Sequence, residues 1–117
     1  MKAVYLCALT LGLGFTAAHA ECAYPKAPAS VPDGKSAAEP EMIEAMKTFK
    51  QYDTDVNAYI ACLDQETKQK SADGGSASQI MQMKSMQSKK QNAAVEELKA
   101  KAALFNEQVR VFKSKKG

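Results

Sequence analysis

Two adjacent glycines, Gly74 and Gly75, interrupt an otherwise unbroken run of helix-compatible sequence. No proline or glycine stands between Glu41 and Thr67, and none between Ser76 and Lys116. Paired glycines end a helical pattern, so the chain reads as two long helices joined by a short turn. The first is expected over about residues 39–67. Its apolar residues are Met42, Met46, Phe49, Tyr52, Val56, Tyr59, Ile60 and Leu63. Their steps of three and four put one apolar stripe on one helix face. The turn is expected over 70–77 and the second helix over about 78–114. There Val95, Leu98, Ala102, Phe105, Val109 and Phe112 repeat as a coiled-coil seam. Carried back toward the turn, that repeat lands on polar Gln91, Ser88 and Lys84, so the seam weakens. Asp53 falls on the first stripe and is expected to form a polar layer near Lys84 or Gln91.

A turn this short permits only an antiparallel hairpin within one chain. Charge agrees with that arrangement. Residues 21–73 hold 10 acids and 6 bases, a net of −4, whereas residues 74–117 hold 3 acids and 9 bases, a net of +6. An acidic helix beside a basic one is favoured. Each exposed pair contributes only about 0–1 kcal/mol, so the apolar seam must dominate. Pairing symmetric about residue 72 would set Leu63 opposite Met81, Met46 opposite Leu98 and Met42 opposite Ala102. Phe105, Val109 and Phe112 would then overhang the first helix, without a partner unless the arm around Val31 to Ala38 folds over them. They form the candidate interaction surface, for a second copy of the chain or for a partner helix.

Residues 1–20 read as a signal peptide. Lys2 supplies the positive end, the stretch from Ala3 to Ala18 is uncharged, and Ala18-His19-Ala20 is a small-x-small cleavage signal. The apolar run is shorter than the roughly 18–20 residues of a membrane span. Cys22 is preceded by Glu21, which disfavours acylation. Cleavage near Ala20 implies a periplasmic or secreted protein. It removes Lys2, Cys7 and His19, leaving 15 basic against 13 acidic side chains, no histidine and two cysteines. An even cysteine count in an exported chain implies one disulfide, Cys22–Cys62.

Residues 21–38 form a proline-rich arm. Pro25, Pro28 and Pro32 forbid regular helix, and Val31-Pro32-Asp33-Gly34 has the signature of a β-turn. Ser36 with Glu39 makes a capping-box pattern, with Pro40 competing for the first helical turn. From residue 40 to residue 62 a helix rises about 33 Å, and the arm reaches up to about 60 Å. The arm can therefore run back along the first helix to Cys62. Two helices alone bury a thin core, and the disulfide staples the arm on as a third layer.

Composition narrows the chemistry. Histidine-dependent catalysis has no residue to use after cleavage, and oxidised cysteines are not nucleophiles. No Gly-x-Ser-x-Gly elbow, phosphate loop or dinucleotide fingerprint occurs. The chain is therefore not expected to be an enzyme, and no cofactor is implied. The carboxylates of Glu41 and Glu44 read as solvated helix charges. Asp53-Thr54-Asp55-Val56-Asn57 imitates a calcium loop, but Ala58 stands where glycine is needed. Met81, Met83 and Met86 are soft ligands of the kind that bind Cu(I) or Ag(I). On a continuous helix Met81 and Met83 lie about 200° apart, so packing is the plainer reading and no metal is expected. The basic end from Arg110 to Lys116 suits the helix dipole and offers an envelope or membrane contact. It lacks the interleaved aromatics of a nucleic-acid surface.

One resemblance adds to these readings. Cys22-x-Tyr24-Pro25-x-x-Pro28, Val31-Pro32-Asp33-Gly34, Glu41-Met42, Phe49-Lys50-x-Tyr52 and Val56-Asn57-x-Tyr59-x-x-Cys62-Leu63 resemble small exported helical proteins of Gram-negative bacteria with no assigned activity. The similarity covers about residues 22–66. It implies a periplasmic helical protein and supplies no site residues. The sequence thus predicts an all-α, coiled-coil-like two-helix hairpin with a disulfide-stapled arm. Its expected role is non-catalytic, structural or binding, through protein contacts. The alternatives are a methionine-based Cu(I)/Ag(I) binder and a basic helical protein of the envelope surface.

Overall fold

A computed structural model describes residues 21–116 of the chain; the predicted signal peptide at 1–20 lies outside them. The described chain is an antiparallel hairpin of α1 (Glu39–Ala72) and α2 (Ala77–Lys116). Cys22 and Cys62 are joined by a disulfide.

Local chemistry sets the helix ends. Ala38 is extended, and its N–H donates to Glu41 Oε2 at 3.1 Å, while Pro40 in the first turn has no N–H to satisfy. This replaces the expected Ser36/Glu39 cap. The preceding turn also lies two residues later than the Val31–Gly34 reading. Its organiser is Asp33, whose carbonyl accepts from Ser36 N–H and Ala37 N–H and whose Oδ1 accepts from Lys35 N–H. α1 continues five residues beyond its expected end, because nothing before Asp73 opposes helix. Gly74 then turns the chain with φ +93°, a region that glycine enters without steric cost. Ser76 and Gln79 close a reciprocal cap: Gln79 N–H donates to Ser76 Oγ at 3.2 Å, and Ser76 N–H to Gln79 Oε1 at 3.0 Å.

The core stripe of α1 is Met42, Phe49, Tyr52, Val56, Tyr59 and Leu63, all buried, with Ala45 packed against them. Met46, read into the stripe from the sequence, is instead 45% exposed. The repeat from Met42 runs through Phe49, Val56 and Leu63 at intervals of seven, and its companion positions are Ala45, Tyr52 and Tyr59. Met46 therefore falls to one side. On α2, Ala94 and Phe105 are buried, and Leu98, Val109 and Phe112 pack against the core.

The register differs from the expected one. Phe49 stacks on Phe105 with ring centroids 4.7 Å apart, and Glu39 pairs with Lys116 at 2.8 Å. These pairs centre near residue 77 rather than 72, so α2 does not overhang α1. Asp53 is exposed and accepts only from Asn57 on its own helix. The interhelical polar layer is Asp64, which accepts from Gln91 Nε2 at 3.1 Å and from Gln87 Nε2. The calcium-like segment 53–64 stays helical throughout.

The arm lies in the groove between the helices and runs in the direction of α2. It starts at Cys22 beside Cys62. Tyr24 meets Tyr59 edge-on at 5.3 Å and donates to Glu97 Oε2 at 2.8 Å. Pro25 is buried, and Val31 packs against the core. At the far end Gly34 N–H donates to Gln108 Oε1 at 2.8 Å, and Ala37 is buried.

Candidate interaction surface

The residues expected to form an interaction surface are occupied by the fold itself. Phe105 is 7% exposed under Phe49. Val109 and Phe112 are half-buried against the same core. Two features occupy them: a register centred near residue 77, which sets Phe49 against Phe105, and the arm, which folds over the far end as the sequence allows. The backbone of Gly34 lies so close to α2 that an added Cβ would overlap the carbonyl oxygen of Gln108.

The basic end has also been given structural work. Lys115 Nζ donates to the carbonyls of Lys35 at 3.2 Å and Ala37 at 3.0 Å. Lys116 pairs with Glu39 and holds its carboxyl below the usual range. Both ammonium groups stand 4.9 Å from the centre of the Phe112 ring. Two of the lysines offered to an envelope surface thus clamp the start of α1.

The three methionines do not converge. Met81 is 71% exposed, Met86 is 53% exposed and Met83 is half-buried. Met83 and Met86, one helical turn apart, line the same cavities; Met81 lines neither. The thioethers therefore offer two ligands on one face rather than three. Among the described residues, no cluster of three His, Cys, Asp or Glu side chains is placed to hold a metal ion.

What stays open is the tip of the hairpin. Among the described residues, the arm covers the interhelical groove from Ala37 back to Cys22, with Glu21 at the edge of the space beyond. Beyond it the groove continues toward Gly74 as three adjoining cavities of about 580, 530 and 100 Å³ that share Lys70. The first begins at Cys22 and Cys62 and includes Leu63 and Lys90. The innermost lies between the helices, with Leu63 and Thr67 on one wall and Met83, Met86 and Gln87 on the other. Glu66 pairs with Lys70 at 2.7 Å, which lowers the pKa of its carboxyl, and Lys90 acts in the same direction. The 580 Å³ cavity is walled mostly by polar and charged side chains, among them Gln65, Glu66, Gln69 and Asp73, and Leu63, Met83 and Met86 come together only in the smallest of the three.

No family model matches the chain, and no curated protein or solved structure shows significant similarity to it.

Proposed function

We propose that the chain is a non-catalytic helical protein of the periplasm, or secreted, that acts through protein–protein contacts made at the hairpin tip. The observation that carries this reading is the open groove beyond Cys22. Lower down the hairpin the arm and the opposite helix cover the core residues from Met42 to Tyr59. At the tip Leu63, Met83 and Met86 line space that no part of the described chain fills. Methionine side chains are flexible and polarizable and adapt to varied partners.

Photo-crosslinking tests this reading directly. A photoreactive amino acid is placed at Met86, and separately at Lys113 on the outer surface of α2, in cells that export the protein. Protein adducts specific to position 86 are expected. Equal labelling at both positions, or none at position 86, would remove the basis for an interaction site at the tip.

A further inference from the structure

We propose that Asp73 is a site of spontaneous covalent modification, converted to isoaspartate through a cyclic imide by attack of the Gly74 nitrogen, and that the fold protects Asp33 from the same reaction. The inference stands apart from the interaction reading above. It comes from two identical dipeptides, Asp33-Gly34 and Asp73-Gly74, the only Asp-Gly pairs in the chain. Glycine after aspartate favours this ring closure, because no Cβ shields the nitrogen and the backbone turns easily. By sequence the two sites are alike. The fold makes them different.

At Asp33 both reacting groups are held. Gly34 N–H donates to Gln108 Oε1 at 2.8 Å, and Asp33 Oδ1 accepts from Lys35 N–H at 2.9 Å. The Asp33 carbonyl accepts from Ser36 and Ala37, and Gly34 is pressed against the α2 backbone, so the peptide between them has no room to rotate. Asp73 stands in the exposed turn after α1. Its own N–H caps the helix on the Gln69 carbonyl at 3.1 Å. Among the described residues, neither its carboxylate nor Gly74 N–H has a hydrogen-bond partner. Lys70, which lines the same two cavities as Asp73, is paired with Glu66 instead. Asp73 has ψ −4°, so closure requires rotation about its Cα–C bond. A Cβ built on Gly74 would meet no atom within 4 Å, so the space for that rotation exists.

Water is the only reagent. The Gly74 nitrogen bonds to Asp73 Cγ, and its proton leaves with the carboxyl hydroxyl as water. A second water then opens the imide. Addition at Cγ restores aspartate. Addition at the Asp73 main-chain carbonyl carbon breaks its bond to Gly74, so the chain runs on through Cβ and Cγ and the α-carboxylate is freed. The turn gains one backbone carbon, beyond the N–H that caps α1.

The test holds the disulfide-intact chain at neutral pH in heavy-oxygen water, which marks each ring opening. Digestion with trypsin in ordinary water then separates the sites, Asp33 in peptide 27–35 and Asp73 in peptide 71–84. Peptide 71–84 is expected to gain label, with an isoaspartyl form identified by electron-transfer fragmentation, at least about tenfold faster than peptide 27–35, because Asp33 must first open the fold. In urea the two peptides should label at similar rates. Asp73→Glu, which would need a larger ring, should remove the label from 71–84. Equal labelling in the folded chain, or no labelling of 71–84 while the unfolded chain labels, would overturn the proposal. So would the same tenfold bias in urea, which would assign it to sequence rather than fold, or label that persists in 71–84 of the Asp73→Glu chain.

Discussion

Two tyrosines, Tyr24 and Tyr52, share the influence of one carboxylate, Glu97. Glu97 accepts the Tyr24 hydroxyl, which pushes the Tyr24 pKa up to about 12, with burial and the Glu97 charge adding to the effect. Tyr52 is raised mainly by burial and then by the same charge. The sign follows directly: the fold favours the neutral phenol. The Tyr24 contribution is fully present below about pH 10 and is lost as pH rises from there through about 12. Phenolate absorbance should therefore show a step near 12 that Tyr24→Phe deletes. A Tyr24 step at the ordinary value of 10 would mean that the arm is not latched. Gly34 makes a second prediction. A methyl there would overlap Gln108 O and stand 2.9 Å from the Phe112 nitrogen, and both are backbone atoms. Gly34→Ala should cost at least about 1–3 kcal/mol in urea unfolding. Gly75→Ala meets only the Gln79 side chain and serves as the mild control, with a far smaller loss. Neither effect was legible in the sequence. Tyr24 and Gly34 matter through α2 residues more than seventy positions away, and no periodicity reports such distances.

The helices themselves were legible because each carries a repeat long enough to survive local exceptions. Their register was not. A heptad stripe looks the same when slid along its partner, and only the turn and the cross-strand contacts break that degeneracy. α1 runs on to Ala72 because Lys68, Gln69, Lys70 and Ser71 are all compatible with helix, so the turn is tighter than its polar composition suggested. The Met46 misreading has a related cause. A large residue was preferred over Ala45, although the seven-residue interval favours the alanine. Phe49 and Phe105 give a direct test of the observed register. Each Phe→Ala change should cost about 3–5 kcal/mol. A double-mutant cycle should return a coupling of about 0.5–1.5 kcal/mol, the worth of a stacked pair beyond its burial. A coupling of zero would place the two rings apart and restore the other register. The disulfide belongs to this scale too, since it ties the arm to α1 across a separation of 40 residues. Closing such a loop contributes about 4 kcal/mol in the chain-entropy account. Cys62→Ala is expected to lower the melting temperature by ten degrees or more on the scaling for small domains. An unchanged thermal transition would mean that the arm contributes nothing to the core.

At the scale of the molecule, the hairpin is a two-helix core made sufficient by a third, irregular layer. That layer was legible as an arm from its prolines, and its attachment from the cysteine pair. Its course against α2 was not legible, and the tip cavities lie beyond Cys22, the point at which the arm is tied to α1. The same geometry bears on self-association. An exposed Phe105, Val109 and Phe112 overhang would favour a dimer, because two unburied aromatic rings forgo about 1.5–3 kcal/mol each. In the structure Phe105 is stacked on Phe49, and the other two pack against the core near the far end of the arm, where Gly34 lies against α2. The argument for a dimer through these residues therefore fails while the disulfide holds the arm in place. Sedimentation of the oxidised chain at tens of micromolar should give a monomer. Reduction should free the N-terminal end of the arm, uncover Tyr59 and the middle of the groove, and raise the fluorescence of a hydrophobic dye. Cys22→Ser should reproduce that rise without reductant. An oxidised dimer that Val109→Glu disrupts would reverse the conclusion, since Val109 would then have to face a second copy rather than the interior.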